Sequence, residues 1–147
     1  MATARNPLVT LLTDFGTRDP YVAQMKGTLL TICPQAQVVD ITHEVAPQAV
    51  LEAAFILAQA AWCFPKGTVH VAVVDPEVGG ERKILAAKID GHYFLAPDNG
   101  LLSFVGEDRT LEELVSVRNV DFLPPPGAPR LWARAQASSW PPSNRPS

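Results

Sequence analysis

Three short apolar runs, each ending at or beside a carboxylate, narrow the folds open to this chain more than any other feature. Val9-Thr10-Leu11-Leu12-Thr13 runs into Asp14-Phe15-Gly16, Val38-Val39-Asp40-Ile41 carries its acid within the run, and Thr68 to Val74 runs into Asp75. Short β-rich runs bounded by turn residues read as strands, the first of them buried. Helical patterns fill the gaps between them. Asp19-Pro20 predicts a helix start, with a carboxylate cap and proline at the first helical position. Val22, Met25, Leu29 and Ile32 follow at helical spacing, and Pro34 closes the helix. Pro47 opens a second helix whose expected buried stripe is Leu51, Phe55, Ala58 and Trp62, and Pro65-Lys66-Gly67 ends it. Two strand–helix units leading into a third strand predict parallel pairing through right-handed crossovers.

After Asp75 the pattern changes. Ile84 to Ile89 and Tyr93 to Leu95 read as strands joined by a tight turn at Asp90-Gly91-His92, and a hairpin makes the sheet mixed. Glu112 to Val117 fits either a helical turn or a strand. The expected class is α/β: a mixed, mainly parallel sheet with flanking helices.

The 147 residues suit one compact domain, and a net charge of −3 gives no footing for a nucleic-acid or anionic-membrane partner. No apolar run approaches the ~20 residues that span a bilayer. Met1 to Pro7 carries one arginine and no apolar stretch of a secretory signal, so the expectation is a cytoplasmic protein. Cys33 and Cys63 have no metal-ligand spacing and read as buried small apolar residues near helix ends. Residues 1–118 carry nine basic and fourteen acidic side chains, and they form the expected domain. Residues 119–147 hold seven of the 14 prolines and two of the three tryptophans, with no strand alternation and no sustained helical stripe. That composition predicts a disordered, proline-rich tail.

Ligands of open α/β sheets bind beyond the carboxyl ends of the strands. Asp14 and Asp75 stand at such ends, and if their strands are neighbours both acids face one crevice. Paired acids there suit a ligand that is rich in hydroxyls or positively charged, since one carboxylate can accept both hydrogens of a ribose 2′,3′-diol. Alternatively Asp14 is a turn or helix cap and Asp75 a turn residue before Pro76. In the loop Asp75-Pro76-Glu77-Val78-Gly79-Gly80-Glu81-Arg82, the acid and the arginine could hold a water between acceptor and cation, or could form an ordinary ion pair. His43, His70 and His92 are scattered and read as structural or solvated residues. With no cluster of ligand types, no metal site is expected. No GxGxxG, GxxxxGK[ST] or GxSxG stretch occurs.

Val9 to Gly16, Asp40-Ile41-Thr42-His43, Asp75 to Gly79 with Arg82, and Ala96-Pro97-Asp98-Asn99-Gly100-Leu101-Leu102 together resemble the S-adenosylmethionine hydroxide adenosyltransferases, relatives of the fluorinase and chlorinase enzymes. The resemblance runs over roughly residues 8–118. It implies S-adenosylmethionine as substrate, with no cofactor, and water attacking C5′ of the ribose to release adenosine and methionine. Halogenating members resemble this chain less: they have tyrosine in place of Asp75 and a long insertion before Ala96-Pro97. By the resemblance Asp75 and Arg82 are catalytic, Asp14 clasps the ribose diol, and Phe15, Asp98 and Asn99 contact substrate. Asp19 and Tyr21 match the stretch that contacts the methionine end.

The resemblance also implies a second, β-barrel domain and a trimer whose ligand site lies between one subunit's first domain and a neighbour's second. The barrel is expected to be absent here, and the homotrimer is expected of full-length members rather than of this chain. The family's catalytic histidine follows a proline-rich turn that Leu123-Pro124-Pro125 resembles, but this chain reads Arg130-Leu131-Trp132-Ala133-Arg134-Ala135 there. A frameshift near residue 120 would produce such a tail. The expectation is a truncated S-adenosylmethionine hydrolase, the other possibility being an inactive nucleoside-binding fragment or an interaction module.

Overall fold

The computed structural model describes residues 6–75 and 83–117. The expectations for Arg82 and for residues 119–147 lie outside the described residues. Within them the chain runs β1 (Leu8–Thr13), α1 (Tyr21–Ile32), β2 (Gln37–Thr42), α2 (Val50–Ala60) with a 3₁₀ turn at Ala61–Cys63, β3 (Val69–Val73), β4 (Ile84–Ile89), β5 (His92–Pro97) and β6 (Leu111–Ser116). The six strands form one sheet in the order β2-β1-β3-β5-β4-β6. β1 pairs parallel with both β2 and β3, and β3 pairs parallel with β5. β4 is antiparallel to β5 and to β6, so the mixed, mainly parallel sheet expected from the sequence is the one observed.

The two helices cover opposite faces because β1 and β3 offer alternate residues to each. Val9, Leu11, Val71 and Val73 pack with Met25 and Leu29 of α1. Leu12, Ala72 and Val74 pack with Ala53, Leu57 and Ala61 on the α2 side. Burial on both faces explains why β1 reads as an almost unbroken apolar run.

Four local expectations need correction. The expected α2 stripe is half right: Ala58 and Trp62 pack against the core, but Leu51 and Phe55 are 69% and 57% exposed, and Ala53, Ala54, Leu57 and Ala61 are the buried positions. Only Glu52 and Gln59 interrupt the apolar surface of Val50–Ala60, so periodicity fits several faces. Alanines then decide, because small side chains let the helix approach the sheet closely. Pro20 occupies the N-cap of α1, and no side chain caps that helix, so Asp19 does not play the expected capping role. The Pro20 carbonyl already accepts the first helical hydrogen bond, from Gln24 N, at 2.9 Å. Cys33 is buried as expected, but Cys63 is exposed at the end of the 3₁₀ turn. His92 is not part of the turn: Asp90 and Gly91, with φ of 45° and 79°, make it alone, and His92 opens β5 as a buried residue. A two-residue turn with positive φ at both positions matches the strand twist.

His92 belongs to a buried polar chain at the amino ends of β1, β3 and β5. Thr10 Oγ1 lies 2.7 Å from His70 Nδ1, and His70 Nε2 lies 3.0 Å from His92 Nδ1. One of the two facing nitrogens carries the proton and the other accepts it. Burial, with the neighbouring His92, drops His70 to a pKa of about 3. Burial also lowers His92, assisted by the Arg109 and Lys66 cations against the opposing pull of Asp90. Trp62 closes the cluster with its ring 4.8 Å from His92, edge to face, and the Arg109 guanidinium stacks 4.0 Å from the Trp62 ring.

A neutral buried histidine sets the sign of the acid response. The unfolded chain takes up a proton below the ordinary histidine pKa near 6.5, whereas folded His70 does not until about pH 3. This contribution to stability is therefore complete above pH 6.5 and is lost progressively as pH falls from there toward 3. Denaturant melts should show a loss of about 2 kcal/mol between pH 7.5 and pH 5, at about 1.4 kcal/mol per pH unit below the unfolded pKa. The His70 ring resonances should stay at neutral positions through that range. A His70 titration midpoint near 6.5 in the folded protein would contradict this account.

Candidate functional site

Because β2, β1, β3 and β5 all run the same way, their carboxyl ends line one edge of the sheet. Along that edge lie His43 after β2, Asp14 after β1, Asp75 after β3, and Asp98-Asn99 after β5. From β1 the chain goes out to β2 on one side and returns past β1 to β3 on the other, so the β1/β3 boundary is the point where strand order reverses. Open α/β sheets bind ligands at such a reversal, where diverging connections leave a crevice. Asp14 and Asp75 flank it on adjacent strands, whose register pairs Thr13 with Val73. Neighbouring strands are ~4.8 Å apart, so both acids belong to one locale.

Each end is held by specific contacts. Asp14 Oδ2 accepts the backbone N–H of Gln48 at 2.9 Å. Gln48 has φ of 64°, a left-handed conformation that non-glycine residues rarely adopt, and this conformation aims its amide at the carboxylate. Gly16, at φ 70°, donates its N–H to the His43 carbonyl at 2.7 Å, fastening the loop after β1 to the end of β2. Phe15 N donates to Thr13 Oγ1 at 3.2 Å, and Thr13 Oγ1 lies 2.8 Å from His43 Nδ1. His43 Nε2 lies 2.7 Å from Asp40 Oδ1, and Lys26 Nζ donates to Asp40 Oδ2 at 2.7 Å. Burial raises the Asp40 pKa, but hydrogen bonds from Lys26 and His43, with their charges, outweigh it and hold the carboxyl below its ordinary value. On the other side of Asp75, Asn99 Nδ2 donates to the Val74 carbonyl at 2.7 Å, and Asn99 Oδ1 accepts the Leu101 N–H at 3.2 Å.

The structure therefore brings Asp14, Phe15, Asp75, Asp98 and Asn99 to one edge of the sheet. Asp75 is buried, Asp14 and Phe15 are half-buried, and Asp98 is exposed. Asp19 and Tyr21 sit farther along the loop that leads into α1, both exposed. The Tyr21 ring stands 6.0 Å from that of Phe15, centroid to centroid. Thr13, Lys26 and Gln48 join the site's framework without having been singled out in the sequence, and Asp40 and His43, noted there as part of a strand end, join it without having been expected as site residues. For Asp40 and His43 a signal existed, an acid and an imidazole three residues apart where a strand ends. For Gln48 there was none, since its contribution is a backbone amide. Among the described residues no group of three or more His, Cys, Asp or Glu could hold a metal ion. Nor is any helix among them long and apolar enough to cross a membrane.

Known proteins resemble this chain in sequence and in fold. The family model for the SAM hydroxide adenosyltransferase N-terminal domain matches residues 9–132. An (R)-S-adenosyl-L-methionine hydrolase of Methanocaldococcus jannaschii is 38% identical over 122 residues, which cover 80% of this chain and 46% of that one. One from Thermus thermophilus is 39% identical over 134 residues, covering 91% and 49%. A fluorinase of an Actinoplanes species is 31% identical over 152 residues, covering 88% and 51%. The chain spans about half the length of these relatives. The crystal structure of an uncharacterized conserved protein from Thermotoga maritima superposes with a TM-score of 0.80 at 35% identity, over 88% of this chain and 52% of that one.

Asn99 is the side chain that ties the end of β5 to the end of β3, which makes it the direct test of how this edge is held. Asn99→Ala leaves the Val74 carbonyl and the Leu101 amide without their partner, at a cost of about 1–3 kcal/mol. Urea melts should show that loss, and amide exchange at Leu101 should accelerate more than exchange in β1. An unchanged melting midpoint would show that the tie contributes nothing.

Proposed function

The chain belongs to the SAM hydroxide adenosyltransferase family through its N-terminal domain, and from that premise we propose that it holds the nucleoside and directs the water in an S-adenosylmethionine hydrolase. The observation that carries the reading is the placement of Asp14 and Asp75 on adjacent parallel strands at the reversal of strand order. Asp14 accepts the ribose 2′- and 3′-hydroxyls while the Gln48 amide steadies its Oδ2. Water bound between Asp75 and Arg82 attacks C5′. As the new C–O bond forms, the C5′–S bond breaks, its electron pair returns to sulfur, and methionine leaves as a neutral thioether. Asp75 orients the water and assists removal of its proton. The products are adenosine, methionine and a proton. A sulfonium leaves readily, so the protein's work is mainly positioning. Phe15, Asp19 and Tyr21 lie toward the methionine end, and Asp98 and Asn99 complete the substrate contacts. The acid at position 75 supports water rather than halide as nucleophile.

A second reading has its own support. No histidine follows His92 in this sequence, whereas the resembling enzymes complete the Asp–Arg pair with one. On that reading the chain is an inactive nucleoside-binding unit. Losing a positioned acid–base group costs ~10²–10⁴-fold in rate.

Two measurements on the purified chain test these readings. Calorimetric titration should detect adenosine binding, and Asp14→Asn should weaken it about tenfold or more, since a hydrogen bond to a charged group contributes ~1.5–3 kcal/mol. Incubation with S-adenosylmethionine should release adenosine at a rate at least ~100-fold below that of the Thermus thermophilus relative. Adenosine binding unaffected by Asp14→Asn would overturn the assignment of the diol site. Turnover at the relative's rate would overturn the need for the histidine.

A further inference from the structure

The loop that carries Asp14 is gripped twice by one residue of a different strand end. The His43 carbonyl takes the Gly16 amide at 2.7 Å, and the His43 ring reaches the Phe15 amide through Thr13. A carboxylate only accepts hydrogen bonds, so His43 Nε2 donates to Asp40, and in the neutral ring Nδ1 then accepts. With the ring neutral the Thr13 hydroxyl donates to that nitrogen and its oxygen accepts the Phe15 N–H; with the ring protonated Nδ1 donates to the Thr13 oxygen, and the same groups stay linked. Hydrogen bonds thus link Phe15, Thr13, His43 and Asp40 in series, and Asp40 ends it by accepting from both His43 and Lys26. The Thr13–His43 link at its centre is buried, and a buried hydrogen bond fixes geometry because neither partner can rotate without leaving the other unpaired. Carboxylate, imidazole and hydroxyl in a row also resemble a nucleophile with its base. Thr13, however, is 0% exposed, so its hydroxyl has no path to a substrate and the series acts on the backbone.

We propose that His43 is a positioning residue: it locks the Asp14-Phe15-Gly16 turn so that the Asp14 carboxylate is presented to a ribose diol. This rests on the reading that Asp14 holds the diol. The lock contributes to recognition of the hydroxyl pair and not to recognition of the base. Removing it should therefore weaken ligands that have the diol and spare those that lack it. Loss of packing would instead affect both alike.

The test compares adenosine with 2′,3′-dideoxyadenosine by calorimetric titration of the whole chain, for the wild type, His43→Gln and Thr13→Val. Glutamine cannot reach Thr13 and Asp40 together, and valine keeps the shape of Thr13 without its hydroxyl, so one substitution serves if the other fails to fold. The wild type should prefer adenosine by about tenfold or more, as expected for a hydrogen bond to a charged acceptor. Either variant should lose most of that preference while its affinity for 2′,3′-dideoxyadenosine stays within about twofold. Amide exchange at Phe15 and Gly16 should accelerate in both variants, beyond any change in β1, with no ligand present. A variant that keeps the full preference, or unchanged exchange at Phe15 and Gly16, overturns the inference alone. A wild type that does not prefer adenosine overturns the diol reading, and the proposed role of His43 falls with it even if exchange accelerates.

Discussion

The parallel pairing of β1 with both β2 and β3 is the constraint on which the rest of this domain depends. A parallel neighbour on each side forces two crossovers, and crossovers of one hand put α1 and α2 on opposite faces of the sheet. That burial on both faces accounts for the apolar run of β1. The same pairing turns the carboxyl ends of the strands the same way, so acids far apart in sequence, Asp14 and Asp75, become neighbours. The site follows from strand direction before any side chain is considered.

The two ends of the sheet then take on different electrostatic characters. At the amino ends, Thr10, His70 and His92 form a neutral series under Trp62, with burial holding the imidazoles uncharged. At the carboxyl ends carboxylates collect, and one of them, Asp40, is balanced by Lys26 and His43. The surface pair of Lys26 with Asp40 contributes little by itself, since both side chains are more than a third exposed. Its value lies in anchoring a series that reaches the Phe15 amide. A cationic, hydroxyl-bearing ligand suits the carboxyl end better than the end where neutral His70 and His92 sit beside the Lys66 and Arg109 cations.

Much of this was legible in the sequence for reasons that can be named. Proline and glycine punctuate the strand–helix units, and the buried strands β1 and β3 must be apolar, so these strands, the edge strand β2 and both helices fall close to where the pattern put them. The Asp90-Gly91 pair specified a two-residue hairpin turn. What the sequence left open depends on tertiary choice. Helix α2 is apolar nearly all round, and the sheet selected its alanine face over Leu51 and Phe55. Nothing local indicates that β5, rather than β4, pairs with β3, or that residues 111–116 join as an edge strand. Asp14 and Asp75 were legible as strand-end acids. His43 looked like one of three scattered histidines until β2 was laid beside β1, and Gln48 contributes an amide that any residue would have.

The central claim is that the carboxyl edge at the β1/β3 boundary is the nucleoside site. A crystal structure of the chain with adenosine bound tests it most directly. The account predicts the ribose 2′- and 3′-oxygens within hydrogen-bonding distance of the Asp14 carboxylate and C5′ turned toward Asp75. Adenosine bound at the His70–His92 end of the sheet, or at the carboxyl edge with its diol turned away from Asp14, would contradict it.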